Sequence, residues 1–400
     1  MNELILYEKK LKKDDRRISL AVLSYFVVLF IKFMLIYIFG ENYSEIIISI
    51  SIIAQALIYI YSFPIILKRN FNLIFMLYIL FLSYILIDLI IYPNKSEYTF
   101  NILFSLLFVS LPTYIYVFNI EFNEIFMKSM KDIGDILFYL SILFIIFILL
   151  GIISVDKYDM SLSYCLLFPL IIKTDKFFEN IYFRNSFSVL FLLILILILG
   201  ARGPILAFIV FSFLKLINKL KKLKKNEVLT LLILFVILIL FILHADYYLL
   251  NMQKLGYEIF GFKSRTLELF LRDFNYSSGR DYIYSTLLKA IDKRPFLGYG
   301  ISGDRMIMGS FAKYSHNIFL ELIIQFGIII GGSLIFILLF LITKGLLEKD
   351  NLKYNLFIIW LSLGFVPLLV SNSYLVAINF WILLALMIKN ENLNIKKRRL

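Results

Sequence analysis

Arg202, Arg280 and His316 are the residues of this 400-residue chain whose type and setting suit chemistry. Arg202 lies in Gly200-Ala201-Arg202-Gly203-Pro204, a tight break between two apolar runs. Glycines on either side let the backbone approach a ligand closely, and proline suits the first turn of the helix that follows. An arginine in such a break meets water, an anion or a partner, or it snorkels to lipid headgroups. Arg280 follows Ser277-Ser278-Gly279, which can cap a helix starting there. A helix N-terminus with a guanidinium beside it is an anion site, and the guanidinium fork matches a phosphate in bidentate fashion. The plain alternative is a solvated arginine near a cap. His316, in Tyr314-Ser315-His316-Asn317, is one of only 2 histidines. A neutral imidazole can take a proton from a hydroxyl near neutral pH; the plain alternative is a surface histidine bonded to a neighbour. The other, His244, reads as structural.

Other chemistries lack their residues. No His/Cys/Asp cluster has zinc spacing, and the chain has no phosphate-cradling loop and no Gly-x-Ser-x-Gly elbow. Ser315 and His316 are adjacent, so they point apart and form no triad. Asp246, Glu258, Glu268, Asp273, Asp281, Asp292 and Asp304 give no pair singled out for glycoside hydrolysis. Asp281 and Asp304, next to motif residues, are the ones to follow. The lone Cys165, inside an apolar run, excludes a disulfide framework.

The elements that must position these residues are membrane helices. An apolar content of 61% and a mean hydropathy of +0.88 describe a polytopic all-α membrane protein. Apolar runs at 18–39, 46–67, 71–92, 98–118, 133–155, 160–172, 186–199, 204–217, 228–243, 318–343, 355–370 and 375–388 predict about twelve transmembrane helices. The first run is too long for a cleaved signal segment and reads as an uncleaved helix. The breaks around Arg202 and Ser371-Asn372-Ser373 suit tilted spans or re-entrant hairpins. Within spans, Lys32 and Asp88 suggest structural pairing, with each other or with neighbouring helices.

The net charge of +13 follows membrane topology and not nucleic-acid binding. With the N-terminus inside, the short outer loops hold only Lys95, Lys157 and Arg202, whereas Lys68-Arg69, Lys215 to Lys225 and Lys396-Lys397-Arg398-Arg399 fall inside. This bias predicts both termini in the cytoplasm. It divides the chain into helices 1–9 over 1–243, a large external loop over 244–317, and helices 10–12 with a basic tail over 318–400. In that loop Ile283, Leu287, Leu288 and Ile291 predict an amphipathic helix ended by Pro295, and Gly298-Tyr299-Gly300 turns the chain back. The loop is expected to fold down on the membrane helices as a lid.

The ordered set Gly200-Ala201-Arg202-Gly203, Gly279-Arg280 with Tyr284, Pro295-Phe296-Leu297-Gly298-Tyr299-Gly300, and His316-Asn317 running to Gly327 and Gly331 resembles the O-antigen ligase/O-antigen polymerase family. Ala201, Tyr284 and Gln325 depart from that family's frequent serine, tryptophan and acid. The resemblance implies a glycosyl transfer enzyme of the bacterial cytoplasmic membrane, drawing on an undecaprenyl-diphosphate-linked oligosaccharide and requiring no metal or other cofactor. Arg202 and Arg280 would hold the donor diphosphate, and His316 would orient or deprotonate the acceptor hydroxyl. Asn317, Gly279, Gly300 and Tyr284 would line the substrate. Membrane lipids, and assembly proteins such as a chain-length regulator or a flippase, are the further partners implied. A polymerase of O-antigen or capsule repeat units is placed ahead of a ligase. A lipid-linked saccharide flippase is the competing class; it predicts duplicated halves, and no duplication is visible.

Overall fold

The computed structural model describes residues 2–153, 160–179, 183–199, 201–220, 245–260 and 279–398. Among them the secondary structure is helical, with no strand. The chain divides into two units, one of Met1–Asp14, Phe63–Asn123 and Ser277–Leu400, the other of Asp15–Ser62 and Glu124–Tyr276.

Six helical segments among the described residues are long and apolar enough to cross a membrane: Ile5–Phe39, Glu41–Ile91, Pro93–Phe118, Asn123–Leu149, Ile318–Leu346 and Asn351–Leu369. Ser186–Leu199 and Ile378–Lys389 are shorter apolar helices. Among the described residues these segments are fewer than the about twelve spans expected from the sequence. The runs 46–67 and 71–92 form two helices within Ser44–Ile91 that meet at a kink at Asn70, whose φ of −152° and ψ of 57° are not helical. The polar residues of that break find fixed acceptors: Asn70 Nδ2 donates to Asn119 Oδ1 at 2.5 Å, and Arg69 Nη1 to the Asn119 carbonyl at 2.6 Å. The runs 160–172 and 204–217 continue into charged ends as Met160–Glu179 and Arg202–Leu220. The run 228–243 lies outside the described residues.

In the second unit, aromatic rings and one glycine set the packing. Phe26 stacks on Phe168 at 4.4 Å, and Phe30 meets Phe144 edge-on at 6.2 Å. A Cβ on Gly134 would lie 2.6 Å from Ile172 Cγ2, so only glycine admits that approach. Small residues serve this purpose in lipid, where no hydrophobic force drives helices together. Lysines and acids on these helices pair off: Lys131 with Glu179 at 2.5 Å, Lys173 with Asp135 at 2.6 Å and Lys215 with Asp175 at 2.5 Å.

The first unit contains most of the residues that concern function. Ser96–Ser105 runs through a π-helical turn at Leu106–Ser110 into Leu111–Phe118. Three helices frame the site and are labelled here αA (Arg280–Lys293), αB (Gly303–Met308) and αC (Ile318–Leu346). The predicted amphipathic helix is αA. Its Ile283, Leu287 and Ala290 pack with Met308 of αB and Ile324 of αC. Leu288, expected on the apolar face, is 52% exposed. It follows Leu287 by one residue, roughly 100° around the helix, and Ala290 completes the buried stripe instead.

Asp88 forms a buried ion pair, as its place within an apolar run suggested. Its partner is Lys95, 2.6 Å away, and both side chains are buried. Asp88 Oδ1 also accepts from the Ile301 backbone N–H at 3.2 Å. A Cβ on Gly300 would collide with both members of the pair, so this glycine is set by close approach of the backbone to Asp88 and Lys95.

Candidate active site

The motif Pro295-Phe296-Leu297-Gly298-Tyr299-Gly300 docks its backbone into a break in αC. Gly327 interrupts that helix with φ 75° and ψ 173°, freeing backbone groups that a continuous helix would use internally. The motif satisfies them. Tyr299 N donates to the Ile324 carbonyl at 2.8 Å, Gly300 N to the Gln325 carbonyl at 2.8 Å, and Ile328 N to the Pro295 carbonyl at 2.7 Å. Gly298 and Gly327 face each other across the contact: a Cβ on Gly298 would stand 2.6 Å from Gly327 N. Both also have positive φ, which only glycine adopts freely. The glycines of the sequence motif therefore build a backbone-to-backbone joint beside the N-terminal turns of αC.

His316 sits at the other side of those turns. Its backbone has φ +56°, a left-handed conformation unusual for a residue with a side chain. Neighbours on both sides are anchored. Ser315 N donates to Asp304 Oδ2 at 3.1 Å, and Ser315 Oγ to the Asn317 carbonyl at 3.1 Å. Asn317 caps αC: its Oδ1 accepts from Phe319 N at 2.9 Å and Leu320 N at 3.3 Å. The Tyr314 ring lies 4.4 Å from the imidazole. Its hydroxyl makes a hydrogen bond with the Asn372 backbone.

The His316 imidazole is half-buried, and its Nδ1 has no hydrogen-bond partner among the described residues. Burial, helped by the positive charge of Arg280, pushes its pKa down to about 4. It is therefore neutral throughout the physiological range. Arg280 begins αA, is half-buried, and makes no hydrogen bond or ion pair with another described residue. Its charge is felt at both His316 and Tyr314. The Tyr314 hydroxyl is pushed up by burial, against the pull of the Asn372 backbone and Arg305. A neutral base and an unpaired guanidinium thus share one electrostatic neighbourhood.

Beneath this loop lies a buried network that the sequence reading left largely unassigned. Arg305 Nη1 lies 3.5 Å from Asp304 Oδ1 and 3.7 Å from Glu321 Oε1, while Nη2 donates to Ser373 Oγ at 3.0 Å. Ser373 Oγ donates to Glu321 Oε1, and Tyr374 N to Glu321 Oε2 at 3.4 Å. Gln325 Nε2 donates to Asp304 Oδ1 at 3.2 Å, and Tyr374 OH to Gln325 Oε1 at 2.6 Å. Burial and the surrounding acids push the Tyr374 hydroxyl far up, so it keeps the proton it donates to Gln325. The signal available in the sequence was Glu321, an acid within an apolar span, which by default marks a functional or paired position.

The remaining expected residues divide. Gly279 precedes αA in a left-handed conformation and is exposed, with open space where a Cβ would go; it caps the helix without a side-chain bond. Ser277 and Ser278 lie outside the described residues. Tyr284 packs against the apolar contact between αA, αB and αC. Asn317 spends its side-chain oxygen on the αC cap, and Gly300 faces Asp88 and Lys95. Arg202 begins Arg202–Leu220 in the second unit, half-buried, next to the buried Ala201. Gly200 and His244 fall outside the described residues. Asp281 is exposed, whereas Asp304 is completely buried.

These features define a class: a helical membrane protein whose one unit sets a neutral imidazole and an arginine, unpaired among the described residues, beside a broken membrane helix. Residues 187–337 match the family described as O-Antigen ligase. The matched segment includes Arg202, Arg280, His316 and the break at Gly327. The match supports the resemblance to the O-antigen ligase/polymerase family read from the sequence. No curated protein matches the chain.

Proposed function

We propose that the protein polymerises undecaprenyl-diphosphate-linked oligosaccharide repeat units on the outer face of the bacterial cytoplasmic membrane. The observation that carries the chemistry is the neutral His316 imidazole within the electrostatic reach of Arg280, which has no hydrogen-bond or ion-pair partner among the described residues. In the reaction an acceptor hydroxyl attacks the anomeric carbon of the donor sugar. The bond from that carbon to the diphosphate oxygen breaks, and the hydroxyl proton passes to His316. Arg280 meets the charge growing on the departing diphosphate, with Arg202 assigned the same work. A diphosphate leaves readily, so no general acid is needed.

The low proton affinity of His316 in the free protein has a use here. A diphosphate docked at Arg280 offsets the guanidinium charge, so the imidazole becomes a stronger base once the donor is bound. Charge bias in the short loops supports cytoplasmic termini and hence an outward-facing 244–317 segment.

A second reading, a ligase that moves the finished glycan to a final acceptor, is favoured by the description of the matched family. A strain lacking the gene distinguishes the two by glycan gel. Single-repeat products are expected for a polymerase. Long lipid-linked chains that accumulate without transfer would establish the ligase instead, and donor trapped on the cytoplasmic face would point to a flippase.

A further inference from the structure

We infer that Asp304 is a positioning residue that holds the His316 imidazole in its buried place beside Arg280. Its importance for catalysis rests on the reading of His316 given above, but the geometry stands without it. A left-handed conformation at a residue with a side chain is strained and persists only where the surroundings over-determine it. At His316 the surroundings act through its neighbours in the chain. Asn317 is tied to αC by its cap, and Ser315 is tied to Asp304 by its backbone N–H.

Asp304 is suited to this because its carboxylate cannot turn away. The residue is 0% exposed. Its Oδ1 is taken by Gln325 Nε2 of αC and approached by Arg305 Nη1, which leaves Oδ2 for the Ser315 N–H. A hydrogen bond to an ionised acceptor is roughly twice as strong as a neutral one. The His316 loop is thereby clamped between αB, which carries Asp304, and αC, which carries Gln325 and the Asn317 cap. Asp304 touches no reacting atom in this scheme.

The chain has 2 histidines, so replacing His244 with glutamine leaves His316 as the one imidazole to observe. The experiment titrates that imidazole by NMR in full-length, ¹⁵N-histidine-labelled protein in lipid nanodiscs, with and without Asp304→Asn. The charged groups facing the loop are Arg280 from αA, Asp304 and Arg305 from αB and Glu321 from αC. Removing the negative charge of Asp304 would, by electrostatics alone, lower the proton affinity of a fixed imidazole. A rise can therefore come only from release of the loop into water.

The expected result is a midpoint that climbs from about 4 toward the ordinary 6.5, with kcat lowered at least ~10-fold and KM within ~2-fold. A midpoint that stays or falls in a folded Asp304→Asn protein overturns the inference. Should that variant fail to accumulate, Ser315→Pro removes the donor and keeps the carboxylate, and the same rise is expected, whereas Ser315→Ala, which removes only the Oγ bond to Asn317, leaves the midpoint unchanged. Failure of both to accumulate would also overturn it, since Asp304 would then hold the fold and not the imidazole in particular. If His316→Ala retains glycan transfer while Asp304→Asn still raises the midpoint, the reading of His316 as a base fails and the positioning role survives.

Discussion

The Lys131–Glu179 pair of the second unit and the Arg305 network of the first treat charge in opposite ways. In the second unit, Lys131 and Glu179 meet as one cation to one carboxylate. The Lys131 and Glu179 side chains remain 31% and 42% exposed. In the first unit a single guanidinium, Arg305, serves two fully buried carboxylates, and the deficit is made up by Ser373, Gln325 and backbone N–H groups of Ser315 and Tyr374. Exposed pairs contribute little, whereas a buried network is costly to break because each member has no water to fall back on. The first arrangement joins two helices; the second fixes a loop.

The sharpest way to break that contrast is Arg305→Leu. It leaves Asp304 and Glu321 without their shared cation, and a loss of about 3–5 kcal/mol is expected, read as reduced accumulation in the membrane and a lowered melting temperature. Stability close to wild type would mean that the network is no more than another set of paired charges. Arg280→Ala and His316→Ala come next. Each is expected to lower glycan transfer by about 10²–10³-fold while leaving membrane abundance intact, because neither side chain belongs to the buried network. A wild-type distribution of chain lengths in both would remove them from the chemistry.

The pH profile tests the same two residues more gently. His316 must be neutral to accept a proton, so activity is lost as pH falls through its pKa. The acid limb of kcat/KM, a property of the free protein, should lie near pH 4. The limb of kcat should lie higher, because the bound diphosphate offsets Arg280. A kcat limb at or below that of kcat/KM would contradict donor binding at Arg280.

Smaller effects follow at the joint and at the Lys131–Glu179 pair. Gly298→Ala places a methyl group against the Gly327 backbone at positive φ, and a loss of about 1–3 kcal/mol is expected in thermal unfolding. Lys131→Ala removes one partly exposed partner and should change stability by no more than ~1 kcal/mol. A larger effect there than at Gly298 would reverse the ranking of the two units.

Much of the helical plan could be read from the chain because it depends on local quantities. The apolar runs and the stop after αA before Pro295 are matters of hydrophobic period and of which residues can continue a helix. The same holds for choosing Arg280 and His316: charged or titratable side chains beside a helix start are few in so apolar a chain. Arg202 was equally legible as a residue, since its glycine-flanked break interrupts an apolar run.

Other assignments required distances that local rules do not supply. Tyr284, Asn317 and Gly300 were expected along the substrate, yet one packs in an apolar contact, one caps αC and one makes room for Asp88 and Lys95. The partner of Asp88 was open because any nearby cation satisfies a carboxylate on paper. Asp304, Arg305, Glu321, Gln325 and Ser373 come together over 69 positions, from 304 to 373, in a network no spacing rule foresees. Residue types by themselves determined that this is a helical membrane protein with an arginine and a histidine available for work at its helix ends. Only the tertiary structure decided which polar groups are consumed in holding αC and its loop, because a hydrogen bond forms between atoms brought within about 3 Å, whatever their separation in the chain.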